Sequence, residues 1–274
     1  MPEKKPSVLE HFDYIEVGTS DWGTLTHYCA KQWTYASRLG LEMHPRCADP
    51  RQARGIAVEM VKEYLNVLPS LPRLTKIEAA MDENRGLAAA HFVSRETAHL
   101  HMGQFLAPLG GERWGGPEVD VMWYAKSLSS LGCPHPELIG MLKDIGHEEF
   151  LQKRDVRVLS WGDLCQECGV GSVDVLQLDC EGKDCAIIRG LLAHCRTHPK
   201  RRPRIIQFEV NYLTEQKEVQ ETIKALRTVG YKIKWQGDQN CLLELKKHGR
   251  MTRLRKHGKY VVENNGTTST SHKP

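Results

Sequence analysis

The chain has 274 residues, 40% hydrophobic and 26% charged, and its 38 Lys and Arg against 34 Asp and Glu give a formal net charge of +4. That length supports a core without staples, and so mild a charge does not by itself imply nucleic acid. The opening MPEKKPSVLEHF lacks a signal-peptide run and no later segment reaches a membrane span of about eighteen apolar residues, so a cytoplasmic protein is expected, its nine cysteines reduced and mostly buried.

FDYIEVG (12–18) reads as the first strand, 24–39 as a helix, and LGLEMHPRCADPRQARG (39–55) as a loop rich in Pro, Gly and Arg. GIAVEM (55–60) is the second strand, Val61–Leu68 a short helix stopped by Pro69, and LTKIEAA (74–80) the third strand. The next clean core strand, VDVLQLD (173–179), lies nearly a hundred residues on, far beyond an ordinary crossover, so a structured insertion is expected at about 86–155. Within it GLAAAHFVS (86–94) and EVDVMWYA (118–125) read as a hairpin joined by the glycine-rich loop 101–117. VRVLSWGDL (156–164) reads as a further strand followed by a polar turn, QECGVGS, and His99 and His101 as surface groups on a strand or turn. After RIIQFEV (204–210), the segment 214–230 places Val219, Ile223, Leu226 and Val229 on one helical face and stops at Gly230. YKIKWQ (231–236) and NCLLELK (240–246) are the final strands.

Strands alternating with helices predict an α/β fold, a doubly wound, mostly parallel sheet, in one domain over 1–247. Residues 248–274 form a basic and then polar tail, expected to be partly disordered, with seven Lys or Arg between Lys246 and Lys259. Such a run is either a solvated tail or a contact for RNA, an acidic glycan or a phospholipid surface.

Four predicted strands end in acid: Glu16, Glu59, Asp179 with Glu181, and Glu209. The C-terminal ends of parallel strands share one rim, where such folds bind ligands. Carboxylates crowded there are costly unless a cation or hydroxyl donors sit among them. A nucleotide sulfonium supplies a positive centre, an ammonium group and two ribose hydroxyls, and Glu59 stands where an acid accepts those hydroxyls. The first turn, Gly18-Thr19-Ser20-Asp21-Trp22, lacks the G-x-G-x-x-G of a dinucleotide site, and Asp21 would repel a pyrophosphate.

The string DVLQLDCEGKDCAIIRGLL resembles the signature of FkbM-type S-adenosylmethionine-dependent methyltransferases, with Asp174, Leu178, Asp179, Glu181, Gly182, Ile188 and Gly190 at matching positions. The similarity extends through FDYIEVGTSD, IAVEMVKEYLNVLP, IEAAMDE, SLSSLG and IIQFEVN, roughly residues 12–245. E-V-G-T-S-D-W stands in place of the family's D-V-G-A-N-x-G turn, and Gln177 replaces a frequent lysine. The resemblance implies a Rossmann-like class I fold and methyl transfer from S-adenosyl-L-methionine to an acceptor oxygen, often a hydroxyl of a sugar, glycan or natural product. It implies cofactor contacts at Glu16, Gly18, Thr19, Ser20, Asp21, Glu59, Met60, Ala80, Ser130 and Asp179. Asp179 and Glu181 are the candidate catalytic residues, Glu181 as base or orienter, or else as a cap on the helix beginning near Lys183. Glu209 either joins them or fixes a loop.

No metal site is expected. Cys165-Gln-Glu-Cys168 has no second C-x-x-C, and the thirteen histidines form no H-E-x-x-H. Ser129 and Ser130 lack a nucleophile elbow. Trp114, Trp123 and Trp161 line either an acceptor pocket or the core. Three classes stay open: a small-molecule or glycan O-methyltransferase, a nucleic-acid methyltransferase using the tail, and a catalytically silent cofactor-binding scaffold.

Overall fold

The computed structural model describes residues 9–29, 53–107 and 119–246. Strands β1 (Glu10–Val17), β2 (Gly55–Glu59) and β3 (Leu74–Glu78) pair in parallel, β2 between the other two. Helices α1 (Thr24–Cys29) and α2 (Lys62–Val67) follow the first two. Val17, Val58, Ile15 and Ile56 are almost wholly buried, as suits strands covered on both faces. The expected third strand divides. β3 ends at Glu78, Ala79 donates its N–H to the Glu59 carbonyl at 3.1 Å, and β4 (Ala80–Met81) enters a second sheet.

The insertion differs from the predicted hairpin. β5 (Gly86–Val93) is succeeded by α3 (Arg95–Leu100), which carries His99 and is capped by His101, so these two histidines lie in and at the end of a helix rather than on a strand. Two-residue strands β6 (Leu106–Ala107) and β7 (Val119–Asp120) pair with each other, and the loop tip 108–118, with Trp114, lies outside the described residues. EVDVMWYA is not a strand partner of β5. Asp120 accepts the N–H groups of Met122 and Trp123 at 3.1 and 3.2 Å and starts α4 (Val121–Ala125). β8 (Ser130–Leu131) and α5 (Pro136–Asp144) come next. The long partner of β5 is β9 (Leu151–Leu159), antiparallel from Gly86↔Val158 to Val93↔Leu151, in a sheet ordered β4-β9-β5-β8.

VRVLSWGDL also ends as strand sooner than expected. Ser160 and Asp163 form a capping box that begins α6 (Trp161–Cys168), and Gly169, at φ 69°, terminates it. QEC is therefore helical, and VGS, after Gly169, opens β10 (Val170–Leu178). α7 (Asp184–Cys195), β11 (Ile205–Glu209), α8 (Gln216–Thr228), β12 (Tyr231–Gln236) and β13 (Asn240–Leu245) complete the described chain. The large sheet runs β12-β13-β11-β10-β1-β2-β3, with β13 antiparallel to both neighbours. Its main core joins Ile15, Leu176, Leu178, Ile206 and Phe208 to Trp161 and Leu164 of α6, Ile187 and Ile188 of α7, and Val219, Ile223 and Leu226 of α8. At roughly 1.5–3 kcal/mol per buried large side chain, this packing fixes the strand ends that build the site. Among the described residues no helix is long and apolar enough to cross a membrane.

Candidate active site

The parallel register places Val17 beside both Leu178 and Val58, so β1, β2 and β10 finish at the same level. The chain leaves β1 through Gly18, whose φ of +77° belongs to the left-handed region. A Cβ there would lie 1.8 Å from the Asp179 carbonyl oxygen, so no other residue fits without moving β10. Ser20 and Glu181, at φ 50° and 47°, are the non-glycine residues with positive φ among those described, and both line the site. Non-glycine residues held there cost about 1–2 kcal/mol each, a strain that clusters at functional positions.

Two connected spaces open at this rim. A narrow cleft is lined by Gly18, Ser20, Glu59, Met60, Ala80 and Asp179, together with Ala79, Met81, Ser127, Ser129, Leu131 and Lys183. A wide cavity of about 1500 Å³ shares Gly18, Ser20, Ser127, Asp179 and Glu181 with it. Glu16, Thr19 and Asp21 face this second space rather than the cleft. Ser130 lines neither: it is buried, and its hydroxyl donates to the Cys133 carbonyl at 2.8 Å, while its neighbours Ser127 and Ser129 face the cleft.

Each strand-end acid has its own environment. Glu59 is 4% exposed; one oxygen accepts the Ser20 N–H at 2.7 Å and the other the Val61 N–H at 2.8 Å. Burial outweighs those bonds and raises its carboxyl from 4.5 to about 7. Each oxygen keeps a second lone pair for an incoming donor. Glu16 accepts the Leu25 and Thr26 N–H groups at 3.0 and 3.1 Å and the Thr26 hydroxyl at 3.1 Å, tying down the start of α1. Burial lifts it to about 7 as well. Asp21 is paired with Lys126 and, at 3.4 Å, with Arg95. Lys126 is buried and also stands 3.3 Å from the Trp123 ring centroid, so the one lysine among the described residues lining the wide cavity is already engaged.

Asp179, Glu181 and Glu209 come together, with carboxylate oxygens all within 4.8 Å of one another. Asp179 is exposed at the wall of both spaces, and desolvation by the surrounding protein and then Glu181 push its carboxyl well up. Desolvation first, followed by Asp179, raises Glu209 too. Asn211 donates to Glu209 at 2.9 Å and is itself held by the Leu213 N–H at 3.1 Å. Asp184, 1% exposed, clips the two strand ends together by accepting the Cys180 N–H at 3.0 Å and the Glu209 N–H at 2.7 Å.

Glu181 is not the helix cap. Lys183 occupies that position with no side-chain capping bond, and the Glu181 carboxylate points to His135, whose Nε2 lies 3.4 Å away. His135, buried at the start of α5, accepts the Glu137 N–H on Nδ1 at 3.1 Å, which leaves the ring proton on Nε2 to be donated to Glu181. Sequence reasoning missed His135. His135-Pro136-Glu137 carries the signature of a helix start, but nothing local connects it with an acid 46 residues later. Trp22, Trp123, Tyr212 and Trp235 also line the wide cavity, 40–58% exposed. Trp161 instead belongs to the core.

An acid at the end of β2, a glycine turn with no room for a Cβ and a cluster of carboxylates at the end of β10 are set around one cleft. The family profile described as "Methyltransferase FkbM domain" matches residues 16–233. The chain belongs to this methyltransferase family. No characterised protein and no solved structure gives a match. In this FkbM-family chain the matched region spans all four acidic strand ends, from Glu16 to Glu209. Among the described side chains no cysteine enters a group of three potential metal ligands, and Cys133, Cys165, Cys168, Cys180, Cys185, Cys195 and Cys241 are free thiols.

Proposed function

We propose that the protein is an S-adenosylmethionine-dependent O-methyltransferase of Rossmann-like class I architecture, acting on a hydroxyl of a sugar, glycan or small natural product. The observation that carries the cofactor assignment is Glu59, a buried carboxylate at the end of β2 whose two free lone pairs suit the paired hydroxyls of a ribose. Met60, Ala79, Ala80, Met81 and Leu131 give the same cleft an apolar wall suited to a purine. When bound, the cofactor supplies an electrophilic methyl carbon, which the acceptor oxygen takes while the C–S electron pair stays on sulfur.

Asp179 faces the shared part of cleft and cavity, and its carboxylate receives the acceptor proton. Desolvation by the surrounding protein and the neighbouring Glu181 raise the proton affinity of this carboxyl, which makes it a stronger base than an ordinary aspartate. Glu181, held by His135, orients the acceptor beside it. The wide cavity favours the class of acceptor: eight described carboxylates (Glu16, Asp21, Glu137, Asp179, Glu181, Glu209, Glu215 and Asp238) line it with a single lysine, while exposed Trp22, Trp123, Tyr212 and Trp235 offer stacking faces for sugar rings. Such a lining repels phosphodiesters and argues against a nucleic-acid acceptor in this cavity. The basic tail lies outside the described residues. A cytoplasmic setting belongs to the same proposal and accords with the free thiols.

Calorimetry with S-adenosylmethionine, S-adenosylhomocysteine and NAD tests the reading. Binding of the first two without NAD is expected. Tight NAD binding with no response to S-adenosylhomocysteine would overturn it.

A further inference from the structure

The segment RTHPKRRPR (196–204), between α7 and β11, carries five Lys or Arg and no acid. It lies at the end of the large sheet away from the candidate active site, because Arg204 precedes β11 and its carbonyl accepts the Leu245 N–H from the far end of β13 at 2.8 Å. The last turn of α8, with exposed Arg227, and exposed Lys246, whose N–H donates to the Gly230 carbonyl at 3.1 Å, close on the same end. Arg204 meets acids there, Asp174 and Glu244. Arg196, Lys200, Arg201, Arg202, Arg227 and Lys246 form no ion pair among the described residues.

Two of these uncompensated cations are fixed in place. Arg202 donates from Nε to the Pro199 carbonyl at 3.3 Å and from Nη1 to the Val229 carbonyl at 3.0 Å, and Arg201 Nη1 donates to His194 Nε2 at 3.0 Å. All three acceptors are neutral, since burial, followed by His198 and Arg201, lowers the proton affinity of His194. Both guanidinium planes are therefore held while their charge stays whole, and each keeps N–H donors for an incoming anion. Beside them the exposed His198 ring stacks on His194, with centroids 4.5 Å apart and 7° between the planes. No large apolar side chain is exposed between residues 196 and 204, so the face lacks the groups that enter a lipid surface.

We propose that this face docks a single-stranded nucleic acid, with phosphates on Arg201 and Arg202, a base on His198, and the four other cations extending the track. Single strands are recognised by this combination of a positive surface with aromatic and guanidinium planes. The acidic rim repels phosphodiesters, so the strand is held at the opposite end as a docking contact and not as a methyl acceptor. Docking does not depend on the methyl-transfer reading.

The test is fluorescence anisotropy of a labelled oligoadenylate, as RNA and as its deoxy counterpart in separate titrations, with the full-length chain. Saturable binding of either strand below about 100 μM at about 50 mM salt is expected, weakening about tenfold or more at about 200 mM as counterions return to the phosphates. Arg201→Gln combined with Arg202→Gln should weaken it at least about tenfold. Because the Arg202 side chain also holds the Val229 carbonyl, Arg196→Gln combined with Lys200→Gln, at two exposed positions, is measured beside it and should weaken binding at least about threefold. His198→Ala should weaken oligoadenylate and leave heparin, a polyanion without bases, within about twofold. The proposal is overturned by no saturable binding in that range, by affinity that survives both paired variants and so belongs to the basic tail alone, by equal losses of heparin and oligoadenylate in His198→Ala, or by tighter binding to phosphatidylserine vesicles. S-adenosylhomocysteine calorimetry on the same samples reports the methyl-transfer reading separately, since either ligand can bind without the other.

Discussion

The two ends of the parallel sheet handle acidic residues in opposite ways. At the N-terminal end of β1 and β10 the described acids have basic neighbours: Glu10 pairs with Arg54, Asp174 with His11 at 3.3 Å and Arg204 at 3.8 Å, and Asp13 lies 3.6 Å from His11 Nε2 while accepting the Arg54 backbone N–H. At the C-terminal end, Glu59, Asp179 and Glu209 make hydrogen bonds only with uncharged groups, or none that is resolved, and all three have raised proton affinities. The same side chain is a structural group where the sequence provides its countercharge and a binding group where it does not. Asp21 and Glu181, at the same rim, do have basic partners in Lys126, Arg95 and His135, so the contrast belongs to Glu59, Asp179 and Glu209, whose charge the proposed function leaves to a ligand.

Removing one rim charge tests that contrast most severely. Asp179→Asn is nearly isosteric and leaves the apolar faces of β10 intact, so the melting temperature should hold while single-turnover methyl transfer falls by a factor on the order of 10² to 10⁴. Glu181→Gln, measured beside it, should lose less, because the amide still accepts from His135 Nε2. Unchanged rates in both variants would strip the carboxylates of any part in the chemistry and reduce them to cofactor electrostatics.

A pH titration of the ligand-free protein asks whether the rim acids are as costly as their surroundings imply. Glu16 and Glu59 are each raised from 4.5 to about 7, so the folded state binds protons more tightly than the unfolded chain. Their stabilising protonation is fully present below about pH 4.5 and is lost as pH rises through 7. The cost of ionising them reaches roughly 3 kcal/mol per acid at most. Thermal melts should therefore show the ligand-free protein losing stability between about pH 5 and 8, and S-adenosylhomocysteine should offset part of the loss. A melting temperature that climbs across that interval would mean that the rim acids are already compensated.

Glu59→Ala should weaken S-adenosylhomocysteine binding by about 1.5–3 kcal/mol, the range for hydrogen bonds to a charged group. Calorimetry on a variant with a normal melting profile measures this directly. Wild-type affinity would assign Glu59 to the Ser20 and Val61 N–H groups alone.

The rim was legible in the sequence because it obeys two short-range rules. Apolar runs mark Val173–Leu178 and Ile205–Phe208 as buried strands, and whatever follows such a strand in an α/β fold lies at the ligand edge. Asp179, Glu209, Glu59 and Gly18 follow from those rules. The insertion was not legible, because in EVDVMWYA the polar and apolar residues alternate well enough to pass for a strand until Asp120 caps a helix in which Val121, Met122 and Ala125 are buried. A tertiary choice decided that segment: β5 found its partner in β9, more than fifty residues downstream. His135 beside Glu181 was hidden for the same reason, since their meeting depends on where α5 packs.

The smallest effect is expected at the far end of the sheet. Arg204 bridges Asp174 at 3.8 Å and Glu244 at 3.0 Å, but its side chain is 30% exposed, so solvent screens both pairs. Its backbone does the structural work. The Arg204 N–H donates to Val173 and its carbonyl accepts from Leu245, at 3.1 and 2.8 Å, and neither bond needs the side chain. Arg204→Ala should cost only about 0–1 kcal/mol of stability and leave S-adenosylhomocysteine affinity within about twofold of the unsubstituted protein. Lys234, 3.2 Å from Glu244, and His11, beside Asp174, remain to balance the charges the arginine leaves behind. Melts and calorimetry on this variant calibrate the comparison, because a tenfold loss of nucleotide affinity would show that charge at the paired end reaches the rim, and the two ends could then no longer be treated as separate systems.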